Sequence, residues 1–438
     1  MRFYLLTLGC PKNQVDSETM SELLRSQGHV PVPMPADADL LIVNTCGFLS
    51  AAREEALAEL RQLAADKRAD QLLVAAGCMA QRDGEEIVRE IPKVSGLLGT
   101  RRWMEIDTLV MQLSEPQTMN TRPALLEDPA CPPLTVMPRP TPSGGWSYIK
   151  ISDGCDASCS FCTIPAIKGP LRSRPVSQLL VEAQDLVAGG AQELILIGQD
   201  TTAYGRDLGL SDGLPLLVST LLAGIAELRW LRLMYAFPGH VSERLVDVMA
   251  SDPRVCHYLD LPLQHGHPDT LRRMRRPSNA EGTVKLIERL RTAMPDIALR
   301  STFIVGYPGE TDTEFQALLN FAATTQLDKV GVFKFSAESG TVAAELPDTV
   351  PEEVKQGRFE RLMTLQRRIS LQRNREQIGR RLDVLVEGTG DGISMGRSYR
   401  DAPEIDGMVL IPVQLPLARM VPVVITGAMD YDLVGEVA

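Results

Sequence analysis

The chain has 438 residues, 44% hydrophobic and 23% charged, a globular composition that excludes a wholly disordered protein and is long enough for about three domains. With 45 basic against 56 acidic residues the net charge is −11, which excludes holding nucleic acid by bulk charge alone, because phosphate contacts need clustered Lys and Arg. The longest apolar stretch, between Asp212 and Glu227, is interrupted by Ser219 and Thr220 and falls short of the run of about 20 residues that a membrane span needs. The opening MRFYLLTLGC has no basic segment ahead of a long apolar one, so no secretory leader, a cytoplasmic location and no membrane partner are expected.

Three short apolar runs come first, FYLLTLG, LLIVNT and LLVAAG, and each leads straight into a cysteine: Cys10, Cys46 and Cys78. Continuous apolar runs suit strands buried on both faces. Helix-forming sequence follows each, at 16–27, 51–66 and 83–90, and the cysteine separations of 36 and 32 residues each match one βαβ unit. The carboxyl ends of parallel strands share one edge, so three thiols would converge there; the alternative is three buried free cysteines in equivalent places. This first α/β domain is expected over 1–111. A stretch rich in proline (Pro116, Pro123, Pro129, Pro132, Pro133, Pro138, Pro140, Pro142) then reads as an extended linker over 112–140.

The next segment, GCDASCSFC, sets Cys155, Cys159 and Cys162 in a C-x3-C-x2-C array. Eight cysteines are too sparse for a disulfide scaffold, and clustered reduced cysteines are metal ligands, redox groups or core residues. Three thiolates on one loop can hold three irons of a cubane and leave the fourth open to a substrate; a chance trio or a three-ligand zinc site is the alternative. Cys131 and Cys256 lie outside both trios and read as incidental.

From residue 147 apolar runs alternate with amphipathic segments. Strands are expected at 148–152, 193–198, 230–235, 258–263, 299–306 and 329–335, with helices at 177–189, 214–227, 241–250, 269–275, 281–293 and 311–325. Six such repeats predict a parallel, partly closed (β/α)6 barrel over 141–376, with functional groups at the carboxyl ends of its strands. Residues 351–381 read as one helix carrying nine Lys/Arg against four Glu, either a solvated connector or a partner-contact surface. From 379 to 438 glycine-punctuated β-runs suggest a small β-barrel, making the whole an α/β multidomain chain.

The array C-x3-C-x-aromatic-C, with Phe161 as the aromatic, resembles the signature of the radical S-adenosylmethionine (SAM) superfamily. Three further cysteines ahead of such a core, in LGCPKNQVDSE, NTCGF and AGCMAQR, resemble the methylthiotransferases over nearly the whole chain. That resemblance implies two [4Fe–4S] clusters, one on Cys155, Cys159 and Cys162 that binds SAM and an auxiliary one on Cys10, Cys46 and Cys78. It also implies that the terminal β-barrel is a TRAM domain. Gln199, Asp200 and Thr201, in IGQDTTAYG after the second strand, stand where short polar groups could hold the amino or ribose groups of SAM, although Asp200 also reads as a loop cap. His265 in LPLQHGH is either a substrate or SAM contact or a satisfied structural group. FIVGYPGE resembles the family segment that packs on adenine, which singles out Ile304 and Gly306. The run Arg272, Arg273, Arg275, Arg276 reads either as an attractor of polyanions or as a solvated helix end.

One branch of that family modifies an adenosine of tRNA, and the other the β-carbon of an aspartate in ribosomal protein S12. Residues 382–438 hold three basic side chains (Arg397, Arg400, Arg419) and nine acidic ones, a charge suited to a basic protein and opposed to RNA. LGCPKN, AELPDTVPEEVKQGR and SYRDAPEIDGMV resemble the S12-modifying branch. The resemblance implies two uses of SAM, as methyl donor and as radical source, together with an electron donor, a sulfur donor and S12 as partners, free or in the small subunit. The basic helix leaves room for rRNA contact. The competing readings are a tRNA methylthiotransferase and a non-enzymatic iron–sulfur carrier or ribosome-assembly binder.

Overall fold

The computed structural model describes residues 1–115, 122–127, 137–277, 279–347 and 349–438. Cys131 and much of the expected linker, including Pro116, Pro129, Pro132 and Pro133, lie outside the described residues. The chain forms two compact units: Met1–Pro140 with Asp153–Ala157 and Cys162–Arg172, and Thr141–Ser152 with Ser158–Phe161 and Ser173–Ala438.

In the first unit, β1 (Arg2–Thr7), α1 (Pro11–Ser26), β2 (Val30–Pro31), β3 (Leu40–Thr45), α2 (Ser50–Asp66), β4 (Leu72–Ala76), α3 (Gly77–Glu90), β5 (Gly96–Gly99), α4 (Ile106–Ser114) and β6 (Ala124–Leu125) build one parallel sheet of order β2-β1-β3-β4-β5-β6. The central strands are mostly apolar because both faces are covered. Leu41, Val43, Leu73 and Ala75 pack with Leu57, Leu60 and Ile87 of α2 and α3, while Leu40, Ile42, Val74 and Ala76 pack with Met20, Leu24 and Leu109 of α1 and α4. The register pairs Thr7 with Asn44 and Asn44 with Ala76, so β1, β3 and β4 end level. Two helices begin earlier than their sequence patterns suggested. Pro11 starts α1, where its missing N–H costs nothing. Gly77, at φ +93°, turns the chain from β4 directly into α3, which bends at Asp83, the expected start.

The second unit holds β7 (Trp146–Lys150), followed by the short ribbon strands β8 (Ser152–Asp153) and β9 (Arg172–Ser173), with α5 (Ile164–Lys168) of the first unit between them in sequence. Next come α6 (Val176–Ala188), β10 (Glu193–Ile197), α7 (Gly213–Gly224), β11 (Trp230–Leu233), α8 (Glu243–Ser251), β12 (Val255–Asp260), α9 (Pro268–Arg273), α10 (Ala280–Ala293), β13 (Ala298–Val305), α11 (Asp312–Thr325), β14 (Lys329–Lys334) and α12 (Glu352–Arg375). Six of these strands form a parallel sheet in chain order from β7 to β14, and its two edges do not pair, which is the partly closed (β/α)6 architecture. The fourth strand lies three residues earlier than expected. Pro262 offers no N–H, and Gln264, at φ +71°, leaves the ladder and rejoins it only as a bridge to Phe303.

The helix read over 351–381 ends at Arg375, where Asn374 turns its amide to the Met429 carbonyl and Gly379 takes φ +85°. It is neither a solvated connector nor simply a partner surface. Leu362, Gln366 and Ile369 are buried, and so are two of its cations: Arg358 meets Glu310 and Asp312, and Lys355 packs over Gly306. Arg381 opens β15 (Arg381–Gly390), which with β16 (Ile393–Ser398), β17 (Val409–Ile411), β18 (Met420–Ala428) and β19 (Leu433–Val437) closes a five-stranded barrel.

Buried charge joins this barrel to the amino-terminal end of the parallel sheet. Glu193, at 0% exposure, accepts from Arg232 of β11 at 2.6 Å and from Arg397 of β16 at 2.7 Å. Arg300 meets Asp406, Lys329 meets Asp401, and Arg400 meets Asp328. Burial alone would raise the Glu193 pKa, but the two guanidiniums hold it below the ordinary glutamate value. A depressed carboxylate contributes stability above its unfolded pKa of about 4.3 and loses it as pH falls through the folded value. Glu193→Gln is therefore expected to destabilise the chain by about 3–5 kcal/mol at neutral pH, because Arg232 stays buried without its carboxylate and Arg397 keeps only Glu387. Denaturant unfolding of both proteins should show that gap closing as pH drops below about 4.

Candidate functional site

The level strand ends of the first unit bring three cysteines together. Cys10 is the N-cap of α1, Cys46 follows β3, and Cys78 is the second residue of α3. Two glycines permit the close approach: Gly9, at φ +96°, would put a Cβ 2.8 Å from that of Cys46, and a Cβ on Gly77 would collide with Asn44. Asn13 ties the three ends, donating to the Leu8 and Thr45 carbonyls at 2.9 and 3.2 Å while its Oδ1 lies 3.8 Å from Cys78 Sγ. Asn44 donates to the Asn13 carbonyl and to Ser17, and the Thr45 hydroxyl to the Ala76 carbonyl.

Cys78 is 5% exposed, and burial pushes its thiol up to about 12, with Lys168 drawing the other way. Burial also raises Cys46. Each of these two thiols senses the charge of its neighbours, Cys46 that of Cys10 and Cys78 that of both. Three soft sulfur donors gathered at one sheet edge fit a thiophilic metal or an iron–sulfur group in kind. Among the described residues, His267, Asp269 and Glu314 also bring ligand-type atoms within 4.8 Å of one another. The His267 group serves the fold instead, since Glu314 pairs with Arg273 and His267 caps α9.

Of the second trio, Cys155 and Cys162 lie in the first unit and Cys159 in the second. Within the first unit the Cys155 N–H donates to the Gly169 carbonyl, the Leu171 N–H to Asp156, and Lys168 pairs with Asp153. Within the second unit Ser160 is anchored by Arg273 and Tyr307, and Arg276 Nη1 stands 3.7 Å from Cys159 Sγ while its guanidinium lies 4.0 Å from the centroid of Phe237. All three cysteines are partly exposed.

The other expected contacts fall at the carboxyl rim of the second sheet. Phe161 and Ile304 pack against one apolar group, Met274, Tyr307, Phe335 and Ala343. Gly306 adopts φ +72° and donates its N–H to Glu310. Gln199 is half-buried at the end of β10. Thr201 turns its hydroxyl to the Met234 carbonyl. The Asp200 carboxylate accepts from Ala203 N–H, Thr202 and His240; burial would raise its pKa, yet the His240 contact and these donors lower it. His265, 1% exposed, uses both ring nitrogens inside the chain, Nδ1 accepting from the His267 N–H and Nε2 facing Glu310 at 3.3 Å. Sequence reasoning missed Asn13, Asn44, Glu310 and Lys168, and read Arg276 only as part of a basic run. The two asparagines stand inside the cysteine motifs, a local signal, whereas the other three act on residues far away in sequence. Alkylation of metal-free protein near pH 8, followed by peptide mass spectrometry, should label Cys78 and Cys256 last, since both thiols are buried and raised to about 12.

Family models match the chain in three places: residues 2–99 an uncharacterized family, UPF0004, residues 149–322 the radical SAM superfamily, and residues 378–438 the TRAM domain. Among solved structures, TsrM, a radical SAM methyltransferase from Kitasatospora setae, shares the fold with TM-score 0.57 at 15% identity, covering 76% of this chain and 72% of that one. OxsB, a cobalamin-dependent SAM radical enzyme, does so with TM-score 0.54 at 12% identity, covering 83% and 56%. Curated relatives run the full length. Ribosomal protein uS12 methylthiotransferase RimO of Chloroflexus aurantiacus is 51% identical, covering 100% of this chain and 99% of its own. The Herpetosiphon aurantiacus protein of the same name is 46% identical, with 100% of each chain covered. By descent as well as by the two cysteine trios, this chain belongs to the family of ribosomal protein uS12 methylthiotransferases.

Proposed function

We propose that the chain attaches a methylthio group to the β-carbon of an aspartate in ribosomal protein uS12. The observation that carries this reading is the pair of cysteine trios, one gathered at the ends of β1, β3 and β4, the other in the loop after β7. Cys155, Cys159 and Cys162 would hold a [4Fe–4S] cluster with an iron open to SAM, and Cys10, Cys46 and Cys78 a second cluster that takes up sulfur. When bound, these groups supply radical generation and sulfur transfer, chemistry that no side chain offers toward an unactivated carbon beside a carboxylate. The chain's own residues bind and orient. Phe161 and Ile304 would offer an apolar wall to the adenine of SAM, and Gly306 a close backbone. Gln199, Asp200 and Thr201 would line the ribose and amino end, Asp200 being fixed by its own donors. His265, held by Glu310, would shape the rim instead of exchanging protons.

The barrel's outward charge supports a basic polypeptide as substrate. Arg397 and Arg400 are buried in ion pairs, which leaves Arg381, at the start of β15, and Arg419 as exposed cations against exposed Asp383, Asp391, Glu404 and Glu436. Such a surface repels RNA phosphates and attracts Lys and Arg. Contact with rRNA, where it occurs, would use Arg368 and Arg375 on the exposed side of α12 and Arg380 and Arg381 just beyond it. Among the described residues no helix is long and apolar enough to cross a membrane. An electron donor and a sulfur donor complete the partners.

Anaerobic reconstitution followed by assay on a uS12 peptide, on small ribosomal subunits and on tRNA tests the reading. A methylthio group should appear on the uS12 aspartate; tRNA modified while uS12 stays unmodified would overturn it. Cys155→Ala should abolish reductive cleavage of SAM, seen as loss of 5′-deoxyadenosine. Cys78→Ala should keep that cleavage and lose the methylthio product. In each variant the iron content should fall by half.

A further inference from the structure

Lys168 closes α5, six residues after Cys162, and its side chain is 2% exposed. The function above gives it no role. Its Nζ lies 3.0 Å from Asp153 Oδ1 and 3.9 Å from Asp16 Oδ2, and it donates to the Thr100 hydroxyl at 3.0 Å. Thr100 follows Gly99, whose bridge to Gly77 sets the two chains side by side where Cys78 and Thr100 come next, so the ammonium reaches toward the sulfur set at this hydroxyl. The lysine's charge draws both Cys46 and Cys78 toward the thiolate. Lys168, Asp16, Asp153, Thr100 and all three cysteines of the first trio belong to the first unit.

A buried ammonium persists only where anions repay its desolvation. Asp153 and Asp16 both pair with it. Its hydrogen bond to Thr100, beside Cys78, also turns the charge toward a place where a third anion would sit. Three thiolates holding iron and sulfide are such an anion, and each added electron or anionic sulfur ligand deepens the charge.

We propose that Lys168 is the built-in counter-charge of the Cys10–Cys46–Cys78 sulfur set, a positioning residue, turned toward the sulfurs at Thr100, that favours the more reduced, more anionic state of the group held there. The proposal rests on the reading that this trio carries a cluster. Since Asp153 lies two residues before Cys155, the same ion pair also fastens the base of the loop bearing Cys155 and Cys162, so one ammonium serves both sulfur sites.

The test uses full-length protein in which Cys155, Cys159 and Cys162 are replaced by Ala, so that only the first trio can load. Iron content of this background examines the cluster reading by itself. Lys168→Gln and Lys168→Arg are then compared by anaerobic redox titration. Lys168→Gln should lower the midpoint by at least a tenfold change in the reduced-to-oxidised ratio, 59 mV for one electron, while Lys168→Arg stays close to the parent. A Gln variant with full iron and an unmoved midpoint would overturn the proposal. So would an Arg variant displaced as far as the Gln variant. Where the Gln variant loads no iron, the Arg variant decides: loading with the parental midpoint supports a role for charge, and failure to load refutes it.

Discussion

The structure depends first on the register of the amino-terminal parallel sheet. Three sulfurs separated by 36 and 32 residues meet because β1, β3 and β4 finish at the same level, with Thr7, Asn44 and Ala76 side by side. A parallel arrangement requires each strand to be followed by a crossover, and the three crossover helices begin at or shortly after the cysteines. Burial disfavours the thiolate most strongly at Cys78, and the charge of Lys168 counters it.

The second unit answers a different electrostatic demand. Outward-facing residues of its sheet, such as Leu194, Leu196, Leu231 and Leu233, pack beneath the helices. The opposite face of the sheet carries buried Glu193, Arg232 and Tyr258 and the partly buried Arg300. Polar groups out of water need partners, and much of what they meet comes from the terminal barrel: Arg397 for Glu193, the Tyr399 carbonyl for Arg232, and Asp406 for both Tyr258 and Arg300. Pairing these groups removes cations and anions alike from the barrel's surface.

Much of this was legible in the residues. Apolar runs of five to eight residues separated by amphipathic segments placed β1, β3 and β4 of the first sheet and the six strands of the second, and the cysteine spacings marked the two trios. The misreadings have local causes: Pro262 and Gln264 displaced the fourth strand of the second sheet, and Gly379 ended the long helix before Arg381. The buried ion pairs were not legible, because ELILI and WLRL read as ordinary apolar strands and their charged members find partners more than 160 residues away. His265 could not be decided either, since its partner Glu310 lies 45 residues on and shares no motif with it. Lys168 was passed over for a similar reason: a lysine shortly after a cysteine loop looks solvated until the fold buries it.

The charged seam between the sheet and the terminal barrel changes what that barrel is. By sequence it is a self-contained module that an engineer would cut away to ask what it recognises. Yet excision would strip Glu193, Arg232, Asp328 and Lys329 of their counterparts and open them to water in a face shaped to exclude it. A truncated chain would thus report on its own collapse as much as on lost recognition. The portable-looking appendage is a keystone, and its outer surface is better interrogated by replacing exposed carboxylates one at a time.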